Sequence, residues 1–177
     1  MIDVYRGDTP VEKDIIKYAL FISFFPQLVA GPIEKSKKFL KQFDEEHAFS
    51  EYMLVSGFLQ MLWGIFLKMV IADRVGVIVD KIYGNINEYS GFYMVIGAIC
   101  FMIQIFCDFA GYTTIALGAA KGLGFRLTDN FACPFFSQSV AEFWRRWHIS
   151  LSSWFKEYLY FPLGGSRKGK KENILIC

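Results

Sequence analysis

Apolar positions in this chain come in long unbroken runs rather than at the spacing of a half-buried surface helix. Tyr89–Cys107, YSGFYMVIGAICFMIQIFC, is nineteen residues without a charge, enough to cross a bilayer as a helix at about 1.5 Å per residue. Tyr52–Leu67 is a second uncharged run, resumed after Lys68 by Met69–Ala72. Tyr18–Ile33 is a third, interrupted by Pro26 and Gly31. The pattern predicts three spans, the first of them broken near Gly31-Pro32. Asp73–Glu88 reads as the loop between the second and third. The third span either ends at Asp108, with a short segment after it, or continues through Gly111 towards Lys121 and Arg126.

Beyond Cys107 the pattern changes. Phe109–Ala120 is apolar but dense in Ala, Gly and Thr, the residues that let helices approach closely inside membrane bundles. Ser137–Ser139 supplies a helix start before Glu142. A continuous helix from there would put Trp144, His148, Leu151 and Phe155 on one face, with Arg145 on a neighbouring face. Glu142 could then pair with Arg145 or Arg146. Tyr158–Leu163 runs into Gly164-Gly165 and the basic tail Arg167–Lys171. This stretch is too short and too charged for a simple span and predicts an amphipathic or re-entrant element, buried in protein or lining a cavity.

Composition sharpens the class. The chain is 54% apolar and 18% aromatic with 20% charged residues, so an all-helical membrane protein fits and an ordinary soluble domain does not. A net charge of +2, without a basic stripe alternating with exposed aromatics, gives no reason to invoke nucleic acid. Lys35, Lys37, Lys38 and Lys41, followed by Asp44-Glu45-Glu46, suggest a cytoplasmic loop or interfacial helix. Cys100, Cys107, Cys133 and Cys177 have no paired spacing and read as buried small hydrophobes. With the only two histidines at 47 and 148, no metal-ligand spacing emerges. Gly122-Leu123-Gly124 is too little for a phosphate loop. The polar start MIDVYRGDTPVEKD is unlike a signal peptide.

Two places carry candidate chemistry. Asp108 lies at the edge of a span, where a carboxylate is costly unless it is paired or faces a polar cavity. AEFWRRWHISLSSWF, residues 141–155, sets two arginines and a histidine among three tryptophans. The arginines and tryptophans could be interface anchors with His148 a bystander. Alternatively His148 serves as a base or a neutral donor towards a hydroxyl, since an imidazole titrates near neutrality.

Three separated motifs carry a resemblance. FFPQLVAGPIEK (24–35), IQIFCDFAGYTTIALGAAKGLGFRLTDNF (103–131) and FWRRWHISLSSWFKEYLYFPLGGSRKGK (143–170) resemble the membrane-bound O-acyltransferases, in the branch that acetylates bacterial polysaccharides such as alginate. The likeness extends from Ile2 to Lys170. It implies a partial multispan helical bundle of the bacterial inner membrane. An acyl group would be taken from acyl-CoA or a carrier-bound thioester and passed towards a glycan hydroxyl, with no bound cofactor. An extracytoplasmic acetyltransferase and an acyl carrier are the implied partners, beside membrane lipid. By position His148 matches the histidine of the family's arginine-rich helix. Asp108, Tyr112, Arg145 and Arg146 match residues of the motifs around the core, and Glu142 joins them in a supporting polar network. The resemblance gives the main catalytic role to a later histidine that these residues do not include. The expectation is therefore a membrane domain over residues 1–177, truncated at both ends and inactive alone. His47 matches no catalytic position, and Ala110 and Cys133 depart mildly from the usual pattern. A transporter or flippase, or a noncatalytic membrane scaffold, would use the same spans.

Overall fold

The computed structural model describes residues 2–28 and 31–165. Among them the chain is helical, with one isolated antiparallel bridge, Phe131–Trp147, and no strand. It divides into two compact units, residues 1–127 and 128–177.

The first unit is built on two long apolar helices. One runs without interruption from Glu51 to Gly84 over 34 residues: α4 (Glu51–Ile65), a π-helical segment (Phe66–Ala72) and α5 (Asp73–Gly84). The other, α6 (Gly91–Gly122), has 32 residues. At about 1.5 Å per residue each exceeds the ~30 Å hydrocarbon core. The predicted loop at Asp73–Glu88 is therefore corrected. Residues 73–84 continue the same helix, since Val75, Val77, Ile78, Val79 and Ile82 keep it apolar and no proline intervenes. The alternative left open at Asp108 resolves as one continuous helix through Gly111.

The predicted first span is not formed as a span. α2 (Ile15–Ser23) is nine residues long, capped by Asp14, whose carboxylate accepts from the amides of Ile16 and Lys17 at 2.9 and 3.2 Å. It stops at Phe24, ahead of Pro26, where the backbone turns extended and a 3-10 turn, Phe25–Gln27, follows. Pro26 has no N–H to donate to the Ile22 carbonyl and its ring would crowd that carbonyl, so the helix ends earlier than Gly31-Pro32. A short α1 (Ile2–Tyr5) precedes it, and α3 (Ser36–Gln42) follows. An aromatic cluster fixes these pieces: Phe39 is fully buried, its ring 5.0 Å from Phe24 and 5.3 Å from Phe43, with Phe125 5.1 Å from both Phe24 and Phe43.

Glycine sets how closely α4 and α6 approach. A Cβ on Gly57 would stand 2.5 Å from the Gly118 carbonyl, and one on Gly64 2.6 Å from the Gly111 carbonyl. The reciprocal contacts are as tight, 2.5 Å and 2.8 Å. The pairs Gly57–Gly118 and Gly64–Gly111 run in opposite directions along the two helices, so the pair is antiparallel. This is the close approach expected of the small-residue stretch at 109–120.

In the second unit α7 (Val140–Arg146) and α8 (Ile149–Phe155) are separate helices, and a π-helical segment (Lys156–Tyr160) continues α8. The continuous helix expected through residues 140–155 is thus broken at Trp147 and His148. From Ile149 to Tyr160 is twelve residues, about 18 Å of rise at most and too short to cross a bilayer alone. The basic tail Arg167–Lys171 and Cys177 lie outside the described residues.

Candidate functional site

His148 sits at the break between the two helices. α7 begins with a capping arrangement: Ser139 Oγ accepts from the Glu142 amide at 3.2 Å, and Glu142 Oε2 accepts from the Gln138 amide at 2.9 Å. Ser139 thus satisfies an orphan amide of the first turn, which is the physical content of the expected helix start, and Glu142 ties down the residue ahead of it. Glu142 Oε1 also pairs with Arg146 at 2.6 Å, so the acid chooses Arg146 and leaves Arg145 exposed. After Arg146 the chain turns extended at Trp147, then left-handed at His148, with φ 44° and ψ 57°. A non-glycine residue in that region is costly by about 1–2 kcal/mol, and such strain persists only where neighbours hold it.

Those neighbours are visible. Ala132 N–H donates to the Arg146 carbonyl and Ile149 N–H to the Asn130 carbonyl, both at 3.0 Å, flanking the Phe131–Trp147 bridge. Asn130 is fully buried, and its Oδ1 accepts from the Ser150 amide at 3.2 Å. Asn130 therefore caps α8 from outside the helix, in place of His148, whose side chain makes no cap. Trp147 is gripped by rings: Phe143 stacks on it at 5.5 Å and Phe131 meets it edge-on at 5.1 Å. His148 is half-buried, and burial lowers its pKa from 6.5. Near neutral pH the imidazole is uncharged and able to take a proton.

This arrangement corrects the expected shared face. Trp144 and Phe155 are about half exposed, and His148 is oriented by the chain reversal rather than by helical spacing. Sequence reasoning missed Asn130, which it singled out for no role. A polar side chain that caps a helix nineteen residues later leaves no periodic signal.

In the first unit Asp108 is paired. Lys68 Nζ lies 2.7 Å from Asp108 Oδ1, off the hydrogen-bonding direction, and 2.8 Å from Asp73 Oδ1 in a hydrogen-bonded ion pair. The ammonium also stands 5.7 Å from the Tyr112 ring centroid, within cation–π range. Lys68 occupies the π-helical segment midway along its helix, and Asp108 the middle of α6. A charge at that depth needs a partner, and one lysine here serves two carboxylates. Asp108 and Tyr112 thus belong to one cluster, to which Lys68 and Asp73 are additions. Lys68 stood out in the sequence only as the interruption of an apolar run. In the second unit Glu142 pairs with Arg146, and His148 stands two residues on at the helix break.

His47 is structural in its surroundings. Its Nε2 lies 2.7 Å from the Gln42 carbonyl and its ring 4.4 Å from Phe125. The cysteines divide: Cys107 is buried, Cys100 half-buried, and Cys133 exposed, which corrects the expectation for that residue.

Comparison with known proteins gives this geometry a family. Residues 10–175 match the family described as MBOAT, membrane-bound O-acyltransferase. Among similar proteins, the probable alginate O-acetylase AlgI of Pseudomonas putida is 42% identical over 96% of this chain and 34% of its own length. The peptidoglycan O-acetyltransferase of Helicobacter pylori is 38% identical over 86% of the chain and 29% of its own length. The teichoic acid D-alanyltransferase of Bacillus subtilis is 34% identical over 79% of the chain and 36% of its own length. The chain spans about a third of the length of the alginate O-acetylases it matches. With a family match over nearly all its residues, two apolar helices long enough to cross a bilayer and no strand among the described residues, this chain belongs to the membrane-bound O-acyltransferase family.

Proposed function

We propose that the intact protein is a multi-pass O-acyltransferase of the bacterial inner membrane, moving an acetyl group towards hydroxyls of an exported or cell-surface polysaccharide. The observation that carries the reading is the family match over residues 10–175, with relatives named as alginate O-acetylases at 40–42% identity over 94–96% of the chain. The donor is acyl-CoA or a carrier-bound thioester, and an extracytoplasmic acetyltransferase completes delivery to the glycan.

Acyl transfer from a thioester to a hydroxyl needs a proton acceptor, stabilisation of the developing oxyanion and a route for both substrates. His148 is suited to support the first step. It is neutral near pH 7, held at a strained chain reversal, and braced by Asn130 and the Trp147 ring stack. In this reading it acts beside the family's principal histidine, as a hydrogen-bonding partner at the reacting group. Arg146 is committed to Glu142 and keeps α7 in place. Arg145, exposed, is the side chain left to steer an anionic donor. The Asp108–Lys68–Asp73 cluster with Tyr112 orders the two long helices.

The test is acyl transfer by the intact protein in membranes, with labelled acetyl thioester and polysaccharide acceptor, followed by the same assay on His148→Ala. Acetylated glycan is expected from the native protein. The variant should lose at least about 100-fold while remaining inserted, the usual scale for loss of general acid–base assistance. Movement of an unmodified solute without transfer would replace this reading with a transporter. Native turnover in the variant would remove His148 from the mechanism. D-alanyl transfer in place of acetyl would move the protein to the teichoic acid type of acceptor chemistry.

A further inference from the structure

A cavity of about 720 Å³ opens beside α3, lined by Lys35, Lys37, Lys38, Lys41 and Arg126 together with Glu45, Glu46 and His47. Five cationic side chains face two carboxylates, a surplus of three positive charges. Lys38 and Lys41 lie three apart and Lys37 and Lys41 four apart on one short helix, spacings at which like charges repel. Lys37, Lys38, Lys41 and Arg126 make no ion pair among the described residues that would relieve this.

The walls are fixed independently of any ligand. Gln42 donates from Nε2 to the Arg126 carbonyl at 3.0 Å and accepts at Oε1 from the Arg126 amide at 2.8 Å. That two-point clamp holds the arginine's backbone across from the lysines. Phe39, Phe43 and Phe125, next in sequence to lining residues, pack ring against ring and tie α3 to the backbone before Arg126. His47, bonded through Nε2 to the Gln42 carbonyl, closes one side against Gly124, whose φ of 87° lets the chain turn back. A Cβ there would come within 3.0 Å of the imidazole. Converging cations on a fixed frame, in a cavity within the usual range for small-molecule sites, favour an anion with several oxygens and concentrated charge.

We propose that this cavity beside α3 is a binding site for a phosphate-bearing ligand. Lys38, Lys41 and Arg126 are its principal contacts, and the phosphate comes from a soluble phosphoester or from a phospholipid headgroup. Lysines act here as point charges on phosphate and the guanidinium as a planar fork. The site goes beyond the acyl-transfer reading and does not depend on His148, so binding and transfer can fail separately.

The experiment uses the full chain in an uncharged detergent, titrated calorimetrically with pyrophosphate. In parallel, lipid nanodiscs report preference for spin-labelled phosphatidylglycerol over phosphatidylcholine. Three proteins are compared: native, Lys38→Gln/Lys41→Gln/Arg126→Gln, and the charge-retaining Lys38→Arg/Lys41→Arg. Saturable pyrophosphate binding, weakened at least about tenfold in the glutamine variant and kept in the arginine variant, establishes a soluble phosphoester site. Absence of pyrophosphate binding with a phosphatidylglycerol preference that the glutamine variant loses assigns the site to a lipid headgroup. Lys13→Gln/Lys81→Gln removes charge elsewhere and should bind as native in either case. If the native chain binds neither probe, or if the glutamine variant binds as well as native, the proposal is overturned. Should the triple variant fail to fold, the single Lys38→Glu replacement at an exposed position carries the same comparison.

Discussion

At the scale of single residues, two side chains are held where they would not rest by themselves. His148 occupies left-handed backbone at φ 44°, so substitution separates backbone strain from imidazole chemistry. His148→Gly should be at least as stable as His148→Ala, by up to about 1 kcal/mol in thermal or denaturant unfolding, because glycine adopts that region without steric cost. Both should lose acyl transfer alike if the imidazole matters. Burial places the folded pKa of His148 below 6.5, so the unfolded chain takes up this proton first as pH falls. Its contribution to stability is therefore intact above the unfolded value and diminishes as pH falls through the folded one. Transfer that uses neutral His148 should accordingly hold down to pH 6.5 and decline only below it, as a pH–rate profile would show. Lys68 is the second case. Lys68→Met leaves Asp108 and Asp73 facing each other without a cation and should destabilise the α4–α6 pair by at least ~1 kcal/mol. Adding Asp108→Asn should recover part of that loss, measurable as a double-mutant cycle in detergent unfolding.

At the scale of elements, the helix pair and the α7–α8 break each depend on backbone contacts. Gly57→Ala would set a methyl 2.5 Å from the Gly118 carbonyl, and neither backbone can yield without the helices parting. It should cost about 1–3 kcal/mol, in the range of overpacking. Gly84→Ala meets nothing within 4 Å and should be neutral or gain up to about 1 kcal/mol from helix propensity. Circular dichroism melts of the two variants make the comparison. In the second unit, Asn130→Ala removes the side-chain acceptor of the Ser150 amide and should cost about 1–3 kcal/mol, the penalty of a buried donor left unsatisfied. It should also release His148 from its fixed position, lowering transfer without touching the imidazole. The helix start at Ser139 was legible in the sequence because a serine N-cap is local. The break at Trp147–His148 was not, because residues 140–155 have helical spacing throughout and the competing bonds come from residues 130–132.

At the scale of the whole molecule, large apolar side chains such as Leu59, Trp63, Phe92 and Ile99 stay exposed along the two long helices, more apolar surface than a soluble monomer presents. Their continuous runs were readable directly, since hydrocarbon solvation acts on each residue by its own transfer free energy. The extra turns of Asp73–Gly84 were not, because four charges hid a helix whose apolar positions repeat at helical spacing. Nor was the shortness of α2, where the missing N–H and the ring of Pro26 override hydropathy. The sequence by itself determined an all-helical membrane protein of the acyltransferase family, with Asp108 and His148 as the residues to question. Composition, run length and motif order are properties of the chain alone. Only the tertiary structure decided that Lys68 and Asp73 complete the cluster at Asp108, that Glu142 takes Arg146, and that Asn130 holds the reversal at His148. Each of those depends on which distant residue arrives within about 3 Å, the reach of a hydrogen bond, and that distance is fixed by packing between elements.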